Sequence, residues 1–456
     1  MDLRNKNVLV LGLGVSGVST VKALNRLGAN ISISDTKEEG ELKKYLDQIK
    51  DVDVDLHLGT NVVSLEKVDI IIKSPGIPPN IDILSRADGM GIEVITDLEL
   101  AYRIKPYSNL IAITGTNGKT TTTALTGELF KEAGITTYVA GNIGVGILWD
   151  MVNSKVDDVF VVEASSFQLE NTILFNPKVS LMLNITQDHL NWHGTLEHYI
   201  DAKKKVFRNQ DENGYTILNY DDPLVRGFKD ELRSKLVWFS VDNKLDRGVY
   251  IDDGYIIIDD GSIREKVLRV DEIRLLGRHN LENALASVSI GWVMGLDVDI
   301  MVKVLREFSG VEHRLEYVTD VEGISFYNDS KATNPEASIR AVDATNAPII
   351  LIAGGQDRGA QFDNLIQSFD DRVKALVLLG ETSEKIRNVA IKYGFKNIYV
   401  VDDMNEAVKK SYELGNRGDS VLLSPACASW DMYENFEVRG NHFKKAINRL
   451  REDWHG

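Results

Sequence analysis

Leu110-Ile111-Ala112-Ile113-Thr114-Gly115-Thr116-Asn117-Gly118-Lys119-Thr120-Thr121 runs from an unbroken apolar stretch, through a glycine turn, into a helix-forming segment that begins at Lys119. A strand that passes into a helix across such a turn presents backbone N–H groups at the helix start, where they cradle phosphates. In that setting Lys119 offsets charge on the outer phosphates, and the Thr120 hydroxyl can reach Mg²⁺. The general phosphate-loop pattern has a glycine five residues before Gly118. That position is Ile113, and the glycine is Gly115, two residues late. Gly-Lys-Thr by itself is common, so the rest of the chain has to decide.

The same strand, turn and helix order extends in both directions. Upstream, strands are expected at Val8–Leu11, Asn30–Ser34, Asp53–Leu58, Asp69–Lys73 and Glu93–Ile95, and the strand pattern stops around Asp97. Downstream, strands are expected at Val159–Val162 and Val179–Leu183, with helices at Asn280–Met294 and near Ile300–Phe308. A third run, from Glu312, has apolar strands at Ile349–Ala353, Ala375–Leu379, Ile398–Val401 and Val421–Leu423. Strands alternating with helices imply an α/β fold with mostly parallel sheets. At about 150 residues per domain, 456 residues suggest three domains. They divide as 1–98, Rossmann-like; 99–311, a central P-loop-type ATPase domain; and 312–456, again Rossmann-like.

The composition is that of a globular protein, 43% hydrophobic and 26% charged. A formal net charge of -16 repels nucleic-acid backbones and anionic membranes, so neither is an expected partner. Cys427 is the single cysteine, which excludes an internal disulfide and points to a reducing, cytoplasmic setting. Val8–Leu11 is too short and glycine-flanked for a signal-peptide core. No stretch reaches the roughly 18 apolar residues of a membrane span. A monomer is expected.

Gly12-Leu13-Gly14-Val15-Ser16-Gly17 matches G-x-G-x-x-G between a strand and a helix, with Asp35 at the end of the second strand. Read alone, this describes a dinucleotide site and a nicotinamide-dependent oxidoreductase. The alternative is that these glycines only let a helix pack closely on a strand. The motif does not say which diphosphate it holds.

The segment Ile113 to Thr121 resembles the short phosphate loop of the Mur ligase family, the amino acid ligases of peptidoglycan precursor synthesis, in which the late glycine is normal. Further matches follow in order: Gly141-Asn142-Ile143-Gly144, Glu163-Ala164-Ser165-Ser166-Phe167-Gln168-Leu169, Asn184-Ile185-Thr186 with Asp188-His189, Tyr199 with Ala202-Lys203, His313-Arg314, Asn328 to Pro335, and Ser424 to Ser429. Within the family, Ser424 to Ser429 with Asn435-Phe436-Glu437 and Arg439-Gly440 most resembles the members that add D-glutamate to UDP-N-acetylmuramoyl-L-alanine. The match is weakest between Gly214 and Glu272.

The resemblance implies three domains, for the UDP substrate, for ATP and for the incoming amino acid. The implied reaction is carboxylate plus ATP to an acyl phosphate, then amine attack to give an amide, ADP and phosphate. It implies that Gly115, Thr116, Asn117, Gly118, Lys119, Thr120 and Thr121 hold the ATP phosphates, Asn280 and Asn283 lie near adenine, and Arg314 and Asp329 lie near the ribose and phosphates. Two Mg²⁺ ions are implied, with Thr120, Glu163, His189 and Lys203 as ligands and Lys119, Glu163, His189 and Lys203 as catalytic groups. Lys203 is implied to be carbamylated by CO₂. That needs a neutral amine and hence a pKa below about 10.4, although Lys204 and Lys205 beside it also read as one basic helical face.

Ser16, Gly17, Asp35, Thr36, Gly76 and Asn142 are assigned to the UDP substrate, and Lys331, Thr333, Arg358, Ser429 and Phe436 to D-glutamate. Relatives commonly carry lysine at Arg358. A lone histidine is more often structural, and Asn280 and Asn283 read equally as exposed helix residues. His189 and His193 at i, i+4 lack the adjoining glutamate of a zinc motif and are rejected as a zinc pair. A nucleotide-dependent switch without chemistry, and family members that add lysine, diaminopimelate or alanine, are the remaining alternatives.

Overall fold

The computed structural model describes residues 1–455 apart from 61, 107–108, 142–145 and 276, and describes no side chain for Asn191 or for 451–455. The chain divides into two compact units, Met1–Ile273 with His279–Arg306, and Arg274–Arg278 with Glu307–Gly456.

The first unit holds two sheets. One has five parallel strands, β1 (Asn7–Leu11), β2 (Asn30–Asp35), β3 (Asp55–Leu58), β4 (Ile70–Lys73) and β5 (Glu93–Ile95), in the order β3-β2-β1-β4-β5. The other has nine: β6 (Asn109–Thr114), β7 (Thr137–Gly141), β8 (Val159–Glu163), β9 (Val179–Met182), β10 (Tyr215–Asn219), β11 (Lys235–Ser240), β12 (Gly248–Asp252), β13 (Tyr255–Asp259) and β14 (Arg264–Arg269). Their order is β14-β13-β12-β11-β10-β9-β6-β8-β7. β6 therefore lies inside the sheet, paired on one side with β8 and on the other with β9. The unbroken apolar run Leu110 to Ile113 follows from this, since a central parallel strand is covered on both faces. All four of its residues are fully buried or nearly so.

The stretch where the family match is weakest forms β10 to β14, where β12-β13-β14 is an antiparallel meander appended to the parallel sheet. The second unit has six strands, β15 (Glu316–Val321), β16 (Ile324–Asn328), β17 (Ile349–Ala353), β18 (Val373–Leu378), β19 (Ile398–Val400) and β20 (Ser420–Leu423), in the order β15-β16-β20-β17-β18-β19. Only β15 is antiparallel. The fold is thus α/β on mostly parallel sheets, as expected. No helix among the described residues is long and apolar enough to cross a membrane.

Within the first unit, Glu99 ties the helix Asp97–Ile104 to the turn that leads into β9. Its buried carboxylate accepts from the backbone N–H groups of Ile173, Leu174 and Phe175, each at 2.9 Å, and from Arg103 Nε at 2.6 Å. Removing a buried carboxylate leaves these donors unsatisfied together. We expect Glu99→Ala to destabilise the first unit by about 3 kcal/mol, and Glu99→Gln by less, in urea unfolding followed by circular dichroism. An unchanged urea midpoint for Glu99→Ala would sink this account.

Candidate functional site

The helix Lys119–Glu132 starts at Gly118, whose φ of 83° is in the left-handed region. A Cβ there would also collide with Asn283 Oδ1, so only glycine fits. Gly115 has φ 148°, and a Cβ would lie 3.0 Å from Leu183 Cβ. The loop between them is clamped from the end of β9. Thr116 N donates to Asn184 O at 2.9 Å, Asn117 N donates to Asn184 Oδ1 at 2.8 Å, and Asn184 Nδ2 returns a bond to Asn117 O at 3.2 Å. Thr116 Oγ1 lies 3.0 Å from the Tyr199 hydroxyl and accepts from Thr186 N at 3.0 Å.

Two lysines converge on this loop. Lys119 Nζ donates to Gly115 O at 2.9 Å and Thr116 O at 2.8 Å, and Lys203 Nζ donates to Gly115 O at 2.7 Å. Lys203 lies on the helix Leu196–Lys204 and is 1% exposed, with its ammonium 4.7 Å from the centre of the Tyr199 ring. Burial first, and the charge of Lys119 second, hold Lys203 well below the ordinary lysine pKa, while Asp188 and Glu163 pull the other way. Lys204 and Lys205 bond elsewhere, to Glu231 and to the Glu170 carbonyl, so the three lysines do not form one solvated face.

Glu163 ends β8 opposite Ile113 of β6 and is buried, which places a carboxylate one strand from the loop. His189 has φ 52° at the start of the short helix Leu190–His193, and its half-exposed ring lies 4.7 Å from Phe167 and 6.4 Å from Tyr199, between ring centres. His193 is buried instead, with Nε2 3.0 Å from Ser166 Oγ and its ring stacked on Phe167. The Thr120 hydroxyl and the buried Glu163 carboxylate are oxygen donors of the kind Mg²⁺ takes, whereas the His189 imidazole is a softer nitrogen donor. Among the described residues, no group of three or more His, Cys, Asp and Glu side chains is placed to hold a metal ion by itself.

Asn280 and Asn283 sit on the helix Arg278–Val293, buried and bonded to each other at 3.1 Å. They are not exposed helix residues. Asn283 Oδ1 also accepts from Thr122 Oγ1 at 3.1 Å, which ties this helix to the first turn of the helix Lys119–Glu132.

At the carboxyl ends of β1, β2 and β4, a cleft of about 360 Å³ is lined by Gly12 to Ser16, Asp35, Ser74 to Gly76, Gly141 and Gln168, among others. Asp35 accepts from Leu13 N at 2.8 Å and from Lys37 N at 2.9 Å, so it holds the glycine turn in shape. Ser16 and Gly76 line the cleft with it. Gly17 and Thr36 do not. Gly17 packs on the Gly12 carbonyl, where a Cβ would collide, and so serves close helix packing. Thr36 is exposed next to Asp35. Asn142 lies outside the described residues.

Sequence reasoning missed Lys73, which precedes the cleft residue Ser74 at the end of β4. It is 1% exposed, donates to Ile77 O at 2.8 Å, and is lowered by burial to about 8. A lysine closing the apolar run Ile70-Ile71-Ile72 was the available signal.

In the second unit Asp329 is buried and accepts from Leu315 N at 3.1 Å and Ser424 Oγ at 2.8 Å, and burial pushes it up to about 7. Lys331 N donates to His313 O at 3.0 Å, which draws Arg314, Asp329 and Lys331 to one end of β16. Lys331 Nζ lies 5.6 Å from the centre of the Phe436 ring. Ser429 is buried, and Thr333 and Arg358 are exposed. Arg439, whose role sequence reasoning also missed, is buried and donates to Ser330 O at 2.8 Å and Cys427 O at 3.1 Å, joining these segments.

Residues 6–96 match the Mur ligase MurD-like N-terminal domain, 113–291 the Mur ligase middle domain, and 313–427 the Mur ligase glutamate ligase domain. The chain is 47% identical to the UDP-N-acetylmuramoylalanine–D-glutamate ligase of Caldanaerobacter subterraneus subsp. tengcongensis, over 99% of this chain and 100% of that one. It is 48% identical to the ligase of the same name from Thermoanaerobacter sp. strain X514, with the same coverage. Among solved structures, UDP-N-acetylmuramate-alanine ligase MurC from Thermotoga maritima shares the fold, with a TM-score of 0.60 at 20% identity over 98% of this chain and 99% of that one. The chain belongs to the Mur ligase family, among the UDP-N-acetylmuramoylalanine–D-glutamate ligases.

Proposed function

We propose that this protein joins D-glutamate to UDP-N-acetylmuramoyl-L-alanine at the expense of ATP, in cytoplasmic peptidoglycan precursor synthesis. The observation that carries the reading is the loop itself, a glycine-shaped phosphate cradle on which Lys119 and the buried Lys203 converge. A carboxylate is a poor electrophile until one oxygen becomes a leaving group, so its phosphorylation must come first, and it brings two anions together. Lys119 and the loop N–H groups stabilise the terminal phosphates as charge develops there. Mg²⁺ held through Thr120, Glu163 and His189 would further offset that charge. The D-glutamate amine then attacks the acyl carbon, the C–N bond forms as the C–O bond to phosphate breaks, and phosphate leaves with the electron pair. Residues 1–98 serve the UDP substrate, 99–311 serve ATP, and 312–456 serve the amino acid. In the cleft, Ser16, Asp35 and Gly76 face the UDP moiety. Lys331, Ser429, Phe436 and Arg358 receive D-glutamate.

Lys203 is proposed to be carbamylated. Its depressed pKa supplies the neutral amine that CO₂ requires, and the resulting carbamate replaces a destabilised cation by an anion suited to a second Mg²⁺.

Phosphate release from ATP should require UDP-N-acetylmuramoyl-L-alanine and D-glutamate together, and equal turnover with lysine, diaminopimelate or L-alanine would refute the substrate assignment. Lys119→Ala should lower turnover about 10²- to 10³-fold without changing the circular dichroism spectrum. Retained activity in that variant would mean that the loop does not hold the transferring phosphate. Protein freed of bicarbonate should lose activity and regain it on bicarbonate addition. Protonation competes with carbamylation, so the bicarbonate needed should rise as pH falls through the depressed Lys203 pKa. Activity independent of bicarbonate at every pH would exclude the carbamate.

A further inference from the structure

Trp430 is 60% exposed in the second unit, so little of this large ring is spent on the core. What it touches is Arg358, whose guanidinium carbon lies 4.1 Å from the centre of the ring. Arg358 forms no ion pair among the described residues, because the neighbouring carboxylate, Asp357, is engaged by Lys385 at 2.9 Å. The two segments that carry the pair are fastened to each other. Gln356 N donates to Ala428 O at 2.9 Å. Glu381 bridges the next residues along: its carboxylate accepts from Asp357 N at 3.0 Å, and its own N–H donates to Asp431 Oδ2 at 3.0 Å. Gly354, at φ 117°, sits where a Cβ would collide with the Leu379 carbonyl, which fixes the start of the loop. In the segment that carries Trp430, Ser429 O accepts from Tyr433 N at 2.8 Å and Met432 N at 3.2 Å, which closes the turn that contains it.

We propose that Trp430 is a positioning residue for amino acid selection: its face holds the Arg358 guanidinium flat beside the Ser429 turn, ready to receive a carboxylate of D-glutamate. The proposal rests on the reading of Arg358 and Ser429 as amino acid contacts. A long arginine side chain at an exposed site loses its rotamer freedom on binding, and stacking removes part of that loss beforehand. A planar guanidinium can use an aromatic face and a carboxylate fork at once, whereas a compact ammonium cannot. The pair therefore explains how arginine serves here where relatives commonly carry lysine.

Steady-state kinetics of the full-length enzyme separate the possibilities. Trp430→Ala should raise KM for D-glutamate about two- to fivefold, leaving kcat and KM for ATP unchanged, while Trp430→Phe should restore most of the loss. Arg358→Lys should raise KM for D-glutamate in the parent, yet add little in the Trp430→Ala background. If Arg358→Ala leaves KM for D-glutamate unchanged, Arg358 is not an amino acid contact and the underlying reading fails. If Arg358→Ala raises that KM but Trp430→Ala does not, or if the effects of Trp430→Ala and Arg358→Lys simply multiply, the positioning role of Trp430 is wrong. A rise in KM for ATP with Trp430→Ala would likewise overturn it, because it would mark a general structural effect.

Discussion

The phosphate loop depends on the buried Lys203 amine facing a single carbonyl. Lys203 donates to the Gly115 carbonyl from a site that is 1% exposed, and Lys119 donates to the same oxygen from the other side. A positive charge on Lys203 would be repelled by that of Lys119, which is why Lys119 stands second only to burial in lowering Lys203. Such an arrangement is stable only while neighbouring oxygens and dipoles offset the charge. Asp188 and Glu163 do so in part. The rest of the local structure follows from holding this geometry: the Asn184 clamp, the Thr116 to Tyr199 contact and the pressure of Asn283 on Gly118.

Buried charge is handled similarly elsewhere, with backbone groups as the principal partners. Glu99 collects the N–H groups of three consecutive residues in the first unit, and Arg439 donates to the carbonyls of Ser330 and Cys427 in the second. Arg439 has no carboxylate bonded to it among the described residues, and burial lowers it to about 10. Backbone partners bind a charge to a particular turn of chain and to nothing else. Each of these side chains therefore fixes the path of a loop: Ile173 to Phe175 ahead of β9, and Ser330 with Cys427 around the proposed amino acid contacts.

Much of this was legible in the sequence, for physical reasons. Strands covered on both faces leave unbroken apolar runs, so β6, β8, β9, β17 and β20 lie within a residue or two of expectation. The antiparallel meander β12 to β14 was not read as strands: β13 does hold the apolar run Tyr255 to Ile258, but β14 opens on the exposed charges Arg264-Glu265-Lys266 and has no such run. In the glycine turn the resemblance assigned Ser16 and Gly17 to the UDP substrate, but the structure lines the cleft with Gly12 to Ser16 and packs Gly17 against the Gly12 carbonyl. Lys73, Arg439 and Trp430 escaped because their significance lies in contacts distant in sequence, with Trp192, Ser330 and Arg358 respectively.

The late glycine has a structural reason. At Ile113 the chain is still inside the sheet, buried and paired with Glu163 on β8 and Leu181 on β9. A glycine there would empty the core and gain no turn. The backbone first needs freedom at Gly115, where φ reaches 148° and Leu183 approaches from β9. The turn from Gly115 to Gly118 is consequently too short to close on itself, and the Asn184 side chain and carbonyl supply the bonds that a longer loop would make internally. Asn184 lies 67 residues beyond Asn117. A short phosphate loop is thus legible only together with its distant clamp, which is why the local pattern failed by two residues while the ordered set of motifs across the chain succeeded.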